Sequence, residues 1–217
     1  MPPIETSMQA YYAARAAEYD RIYDKPERQA DLAALRRSIP PMFAGRRTLE
    51  IACGTGYWTQ FIAPFASETV AVDSAPETLE IARARRVSGN VRFALGDAYD
   101  LSRELGSFDA AFAGFWFSHV PRRRRKEFLN GLHPLLTRGA TVVLLDNVYV
   151  VGSSTPIAEV DEEGNTYQMR SLQDGSRHRV LKNFPAAAEL ESLIEGIGTH
   201  PRFARLDHYW TFRYAVA

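Results

Sequence analysis

Thr48-Leu49-Glu50-Ile51-Ala52-Cys53-Gly54-Thr55-Gly56-Tyr57-Trp58-Thr59 is the stretch whose reading decides the fold. Its apolar run, Leu49, Ile51 and Ala52, stops at Gly54 and Gly56, and Tyr57 to Phe65 suits a helix. A buried strand that breaks into a Gly-rich turn and enters a helix is how α/β folds offer backbone N–H groups to a nucleotide-like ligand. The glycines permit positive φ and let the main chain approach a ligand with no Cβ between them.

Strands and helices alternate outward from this stretch. Thr69 to Val72 is a β-branched run ending at Asp73, and Asn90 to Leu95 is a strand ending at Gly96-Asp97. Phe108 to Phe117 and Thr141 to Val148 are nearly all apolar. Pro76 to Arg86 reads as a helix, as does Pro121 to Leu136, which Gly139 stops. Strands apolar on both faces and separated by helices imply a parallel sheet covered on both sides. Upstream, Glu5 to Tyr23 places Tyr11, Tyr12, Tyr19 and Tyr23 on helix faces, and Glu27 to Ser38 is a second helix ended by Pro40-Pro41. Downstream, Val151 to Leu181 breaks the alternation. Its Asp161-to-Asn165 turn and its Asp174-Gly175 pair predict a hairpin insertion, a lid or a dimer arm. Pro185 to Ile197 is helical, and Phe203 to Val216 is strand-like and aromatic.

The 217 residues suit one domain with a sizeable core, and the formal net charge of +0 argues against a nucleic-acid coat protein. One cysteine, Cys53, leaves no internal disulfide and fits a reducing compartment. Met1 to Glu18 has no apolar signal core, and no stretch has the ~20 apolar residues of a spanning helix. These features predict a soluble cytoplasmic protein. No residues are assigned to a metal.

Parallel α/β sheets bind ligands beyond the carboxyl ends of their strands. Those ends carry Gly54/Gly56, Asp73, Asp97, Gly114-Phe115 and Asp146-Asn147. Asp73 follows the turn at the interval that puts a carboxylate on a ribose diol. A dinucleotide turn needs a third glycine where Thr59 stands. Glu50, inside the strand, suits an ammonium group or the turn itself better than a pyrophosphate. A zwitterionic amino-acid tail therefore fits better than NAD, with a nicotinamide-dependent oxidoreductase as the alternative.

Leu49-Glu50-Ile51-Ala52-Cys53-Gly54-Thr55-Gly56 resembles motif I of the class I S-adenosylmethionine-dependent methyltransferases. The similarity continues through Val72 to Ala82, Phe93 to Ala98, Phe108 to Phe112 and His119-Val120-Pro121, covering roughly Arg47 to Val148. The resemblance implies S-adenosylmethionine as cofactor. It places Gly54 and Gly56 at the methionine part with Glu50, Ala52 and Thr59 nearby. Asp73 and Ser74 would face the ribose, Asp97 and Ala98 the adenine, and Gly114 and Phe115 the sulfonium. Tyr11 and Tyr19 would form a cap over the cofactor. Thr78 stands where many relatives carry an apolar residue.

Aligning a nucleophile with a methyl group in a dry pocket is the main catalytic task of such an enzyme. His119 is the candidate general base, and Tyr12, Trp116, Asn147 and Tyr149 are candidates for the acceptor side. Arg122-Arg123-Arg124-Arg125-Lys126 opposes a helix dipole, so it is either a solvated face balanced by Glu127 or a dock for an anion or RNA. The expectation is a doubly wound, Rossmann-like α/β fold: a seven-stranded, mostly parallel sheet with helices on both faces, an N-terminal helical cap (1–44) and a β-hairpin insertion (150–182). A core (47–148) binds the cofactor, and a helix with closing strands (183–217) completes one domain. The expected activity is methyl transfer to O, N or S of a small molecule. The alternative from another class is a non-catalytic S-adenosylmethionine-binding module, which a plugged acceptor site would favour.

Overall fold

The computed structural model describes residues 4–173 and 175–217. Helix α1 (Ile4–Arg15) runs into a 3-10 segment, Ala16–Tyr23, and α2 (Gln29–Ser38) ends before the 3-10 turn Pro40–Phe43. The core follows as β1 (Arg47–Ile51), α3 (Thr59–Ile62), β2 (Glu68–Asp73), α4 (Pro76–Ala84), β3 (Val91–Leu95), β4 (Phe108–Gly114), α5 (Arg125–Leu132) and β5 (Leu136–Asn147). Next come β6 (Ile157–Val160), β7 (Thr166–Ser171), β8 (Arg177–Leu181), α6 (Ala187–Leu193), β9 (Gly198–Arg205) and β10 (Tyr209–Val216).

Seven strands form the main sheet in the order β3-β2-β1-β4-β5-β10-β9. β10 pairs antiparallel with β5 and β9; every other pairing is parallel. Strand order reverses between β1 and β4, which opens a crevice at their carboxyl ends. The period of two sorts the core. Ala111, Ala113, Val142 and Leu144 pack with Phe128 of α5 and Leu190 of α6. Their neighbours Ala110, Phe112, Val143 and Leu145 pack with Leu32 and Leu35 of α2 and Ile62 of α3. Both faces are covered, as all-apolar strands require.

Four local expectations are corrected. Helix α5 stops at Leu132, because Pro134 cannot continue it, and Leu136 already pairs with Phe108. Gly139, at φ +78, therefore sits inside the β5 segment and not at a helix end. Phe203 to Val216 is two strands joined at Leu206 to His208, and β9 starts at Gly198. The insertion is a three-stranded antiparallel sheet, β6-β7-β8, because Ile157–Val160 adds a strand to the expected hairpin. Of the turn between β7 and β8, Asp174 lies outside the described residues.

The insertion is bolted to the core. Lys182 Nζ, just past β8, donates to Asp146 Oδ1 at 2.7 Å and Ser118 Oγ at 2.6 Å, with both ions of the pair buried. The Arg122–Lys126 run serves the same joint. Arg122 donates to Gly164 O and Glu189, Arg123 to Glu163, and Arg125 to Glu189. Arg124 pairs with Glu127 and lies 3.6 Å over the Tyr99 ring. Among the described residues no helix is long and apolar enough to cross a membrane.

Lys182→Met leaves the Asp146 carboxylate buried and unpaired, so it should destabilise the chain by roughly 3–5 kcal/mol. Adding Asp146→Leu should recover part of that loss. Urea unfolding checks both, and a single variant within ~0.5 kcal/mol of wild type would contradict the assignment.

Candidate functional site

Two cavities meet above the carboxyl ends of β1 and β4. The first, of about 200 Å³, runs past Ala52, Gly54, Asp73, Ser74, Thr78, Asp97, Ala98 and Gly114. The second, of about 390 Å³, opens beneath the insertion sheet and α1. Tyr12, Tyr19, Phe115 and His119 line both, and so form the passage between them.

The floor of the first cavity follows from backbone geometry. Just past the end of β1, Ala52 takes φ +52, and Gly54 and Gly56 follow at φ +56 and +74. β4 ends similarly, with Phe115 at φ +60. Left-handed residues of this kind persist only where the surroundings hold them, and they gather at binding sites. The Gly54 N–H donates to Asp73 Oδ2 at 2.8 Å, while Asp73 Oδ1 accepts from Ala75 N–H at 2.9 Å and the Thr78 hydroxyl at 3.0 Å. Burial pushes the Asp73 carboxyl up, and these donors pull it back down. Thr78, which stands where many relatives carry an apolar residue, thus acts here as a hydrogen-bond donor to Asp73. Asp97 Oδ1 accepts from Tyr99 N–H at 2.9 Å and faces the far end.

The cap closes over this floor. Thr55, between the two glycines, donates to Asp20 Oδ1 at 2.5 Å. Arg85, at the end of α4, bridges Asp20 and the Thr55 carbonyl. Asp20 fixes the neighbouring Tyr19, whose ring lies 4.0 Å from the point a Cβ on Gly54 would occupy. The left-handed φ of +56 favours glycine here, and turn and cap face each other across a slot.

Glu50, Gly56 and Thr59 do not line the cavity; they support it from below. Gly56 allows α4 to approach, since a Cβ there would come within 3.2 Å of Ala82. Glu50 is fully buried with Oε2 unpartnered. Burial pushes its carboxyl up to about 8, against the lowering effect of the Thr59 hydroxyl. It is therefore a neutral acid near pH 7.

His119 has defined hydrogen-bond roles. Nδ1 lies 2.5 Å from Leu181 O, which can only accept, so Nδ1 carries the proton. Nε2 then accepts from the Tyr12 hydroxyl at 2.8 Å. Arg170 Nη1 donates to the same Tyr12 oxygen at 3.3 Å. Burial, then Lys182 and Arg170, hold the imidazole well below its usual range.

The second cavity is cationic. Arg15, Lys25, Arg28, Arg170 and Lys182 line it against one acidic residue, Glu18. Burial pushes the Lys182 ammonium down, and Asp146 pulls it up. Three expectations change here. Tyr11 lines this cavity and not the first, accepting from Arg15 at 3.2 Å. Trp116 lines the first cavity and not the second, packed on Tyr99 and Phe128. Tyr149 lines neither; its ring packs against Phe184. Asn147 lines the second cavity as expected. Sequence reasoning missed the five cations, although Gln168 and Arg170 share one face of a strand that it placed.

Residues 48–139 match the family described as a methyltransferase domain. A demethylmenaquinone methyltransferase of Clavibacter sepedonicus is 31% identical over 172 residues, covering 77% of this chain and 64% of that protein. A ubiquinone biosynthesis O-methyltransferase of Xanthomonas oryzae pv. oryzae (strain PXO99A) is 33% identical over 154 residues, covering 70% and 61%. The chain thus spans a little under two thirds of the length of these curated relatives. The solved DhpI-SAH complex superposes with a TM-score of 0.81 at 28% identity, covering 100% of this chain and 98% of that one. The DhpI-SAM-HEP complex superposes at 0.81 with 27% identity, covering 99% and 98%.

Glu50 generates a pH-dependence whose sign is fixed. Between about pH 5 and 8 the unfolded chain has lost the proton that folded Glu50 keeps, so stability falls as pH rises. Glu50→Gln lacks this component. Its stability relative to wild type should improve by about 2 kcal/mol from pH 5.5 to 7.5 in urea unfolding; an unchanging difference would place an ionised carboxylate there.

Proposed function

We infer that this chain, which belongs to the class I S-adenosylmethionine-dependent methyltransferases, transfers a methyl group to a small anionic molecule. The observation that carries the reading is the pair of joined cavities. One has the polar and glycine groups that suit the cofactor, and the other has five cationic side chains.

The slot fits S-adenosylmethionine. Gly54 leaves main chain bare toward the cavity, and Asp73 Oδ2, with one lone pair on the Gly54 N–H, keeps another for a ribose hydroxyl. Ser74 lies beside it, Asp97 and Ala98 would hold the adenine, and the main chain at Ala52, Gly114 and Phe115 would border the methionine and sulfur. Glu50, Gly56 and Thr59 act by shaping the turn. When bound, the cofactor supplies a methyl group activated on a sulfonium. The chain's own residues do the rest. Tyr12, Tyr19 and Phe115 wall the passage and exclude water, which leaves alignment as the main catalytic contribution.

Arg170 is the anchor we assign to the acceptor. It is half-buried and held by Gln168 and Tyr12. Lys182 is neutralised by Asp146 and contributes structure first. Open space beyond the passage favours an enzyme over a non-catalytic binding module, whose acceptor side would be filled. The names of the ubiquinone biosynthesis O-methyltransferases support oxygen as the methylated atom.

The test incubates the protein with S-adenosylmethionine and each of acetate, methylphosphonate, inorganic phosphate and neutral catechol, and follows S-adenosylhomocysteine release. Release should require an acid, and Arg170→Met should lower kcat/KM for that acid by about 10–100-fold. Turnover of catechol alone, or an Arg170→Met variant as active as wild type, would contradict the anionic acceptor.

A further inference from the structure

We propose that His119 is a positioning residue and that methyl transfer in this site uses no protein base. The inference rests on the activity inferred above and concerns how the site performs it. Four groups form one directional chain. The Arg170 guanidinium donates to the Tyr12 oxygen, the Tyr12 hydroxyl donates to His119 Nε2, and His119 Nδ1–H donates to the Leu181 carbonyl. Both end bonds are fixed, because a guanidinium only donates and a carbonyl only accepts, and in the neutral ring with Nδ1 protonated Nε2 can only accept from Tyr12.

The lone pair that a general base would need is therefore already engaged, by Tyr12. Charging the ring is opposed by burial and by the cations that face it, against the Leu181 carbonyl, which favours it. Arg15 and Tyr12 face it from α1, Arg170 from β7, and Lys182 from the end of β8. The nearest carboxylate on the sheet side, Asp146, is held by Lys182, Ser118 N–H and Asn147 N–H. A buried neutral imidazole among three cations is a poor proton acceptor, while its fixed tautomer makes it a good orienter.

What His119 orients is the cationic wall. With its proton turned to Nε2, the Tyr12 oxygen presents a lone pair to Arg170 and so aims the guanidinium into the second cavity. Gln168 Oε1 holds the other side of the same group at 2.7 Å. An oxyanion bound there needs no base. Its own electron pair makes the new C–O bond while the C–S bond breaks, the pair of that bond goes to sulfur, and no proton moves.

Nitrogen-15 spectra of histidine-labelled protein saturated with S-adenosylhomocysteine test this directly, with the His119 signal identified by its loss in His119→Gln. The expected result is one neutral tautomer, protonated at Nδ1, unchanged from pH 5.5 to 8.5 with and without inorganic phosphate. Titration within that range would overturn the proposal. A second measurement follows phosphate affinity by calorimetry. Tyr12→Phe and His119→Leu should each weaken it about 3–10-fold, the double variant no further, and His119→Gln, which retains an acceptor for Tyr12, less than about 3-fold. Glutamine as damaging as leucine would also overturn it. Failure of phosphate to bind wild type would count against the anionic acceptor, and the ring's titration would still decide the role of His119.

Discussion

The Gly54 N–H bond to Asp73 is the constraint on which the site depends. It ties the turn after β1 to the end of β2, so the floor of the cavity is set by two neighbouring strands and not by a free loop. The turn can make that bond because alternate residues, Ala52, Gly54 and Gly56, take left-handed conformations. A neutral, buried Glu50 supports it from beneath. Thr55, in the same turn, carries the constraint to the cap through Asp20 and Arg85. Fold, floor and lid are thus one connected set of hydrogen bonds.

A second joint builds the acceptor side. The insertion sheet would be a marginal three-stranded unit alone. Lys182 and Asp146 hold it against the ends of β4 and β5, and the arginines after His119 clamp it to α5 and α6. That joint delivers Leu181 O to His119 and Arg170 to Tyr12. The basic run, which the sequence left between a solvated face and an anion dock, is mostly spent on these ion pairs.

The cofactor side was legible in the sequence because its signals are local. A glycine turn after an apolar run, and aspartates at successive strand ends, need no knowledge of distant contacts. The acceptor side was not legible. Arg15, Lys25, Arg28, Arg170 and Lys182 come from a cap helix, two loops and a strand far apart in the chain, and singly each reads as a surface charge. His119 was found, but its role depends on Leu181, Tyr12 and Arg170. Element ends failed for local reasons. Leu135 and Leu136 continue the apolar period of α5 past Pro134, and His200-Pro201 hides the start of β9. Glu50 was read as a partner for an ammonium group or for the turn itself; its burial beneath the turn, which separates the two, leaves no trace in sequence.

The central claim is that the slot between the Gly54 turn and the Tyr19 cap takes a sulfonium nucleoside and no dinucleotide. Calorimetry with S-adenosylhomocysteine and with NAD tests it most directly. The account predicts one-to-one binding of S-adenosylhomocysteine, weakened about tenfold or more by Asp73→Ala as the diol loses its charged acceptor, and no binding of NAD. Tight binding of NAD without S-adenosylhomocysteine binding, or an Asp73→Ala variant of unchanged affinity, would contradict it.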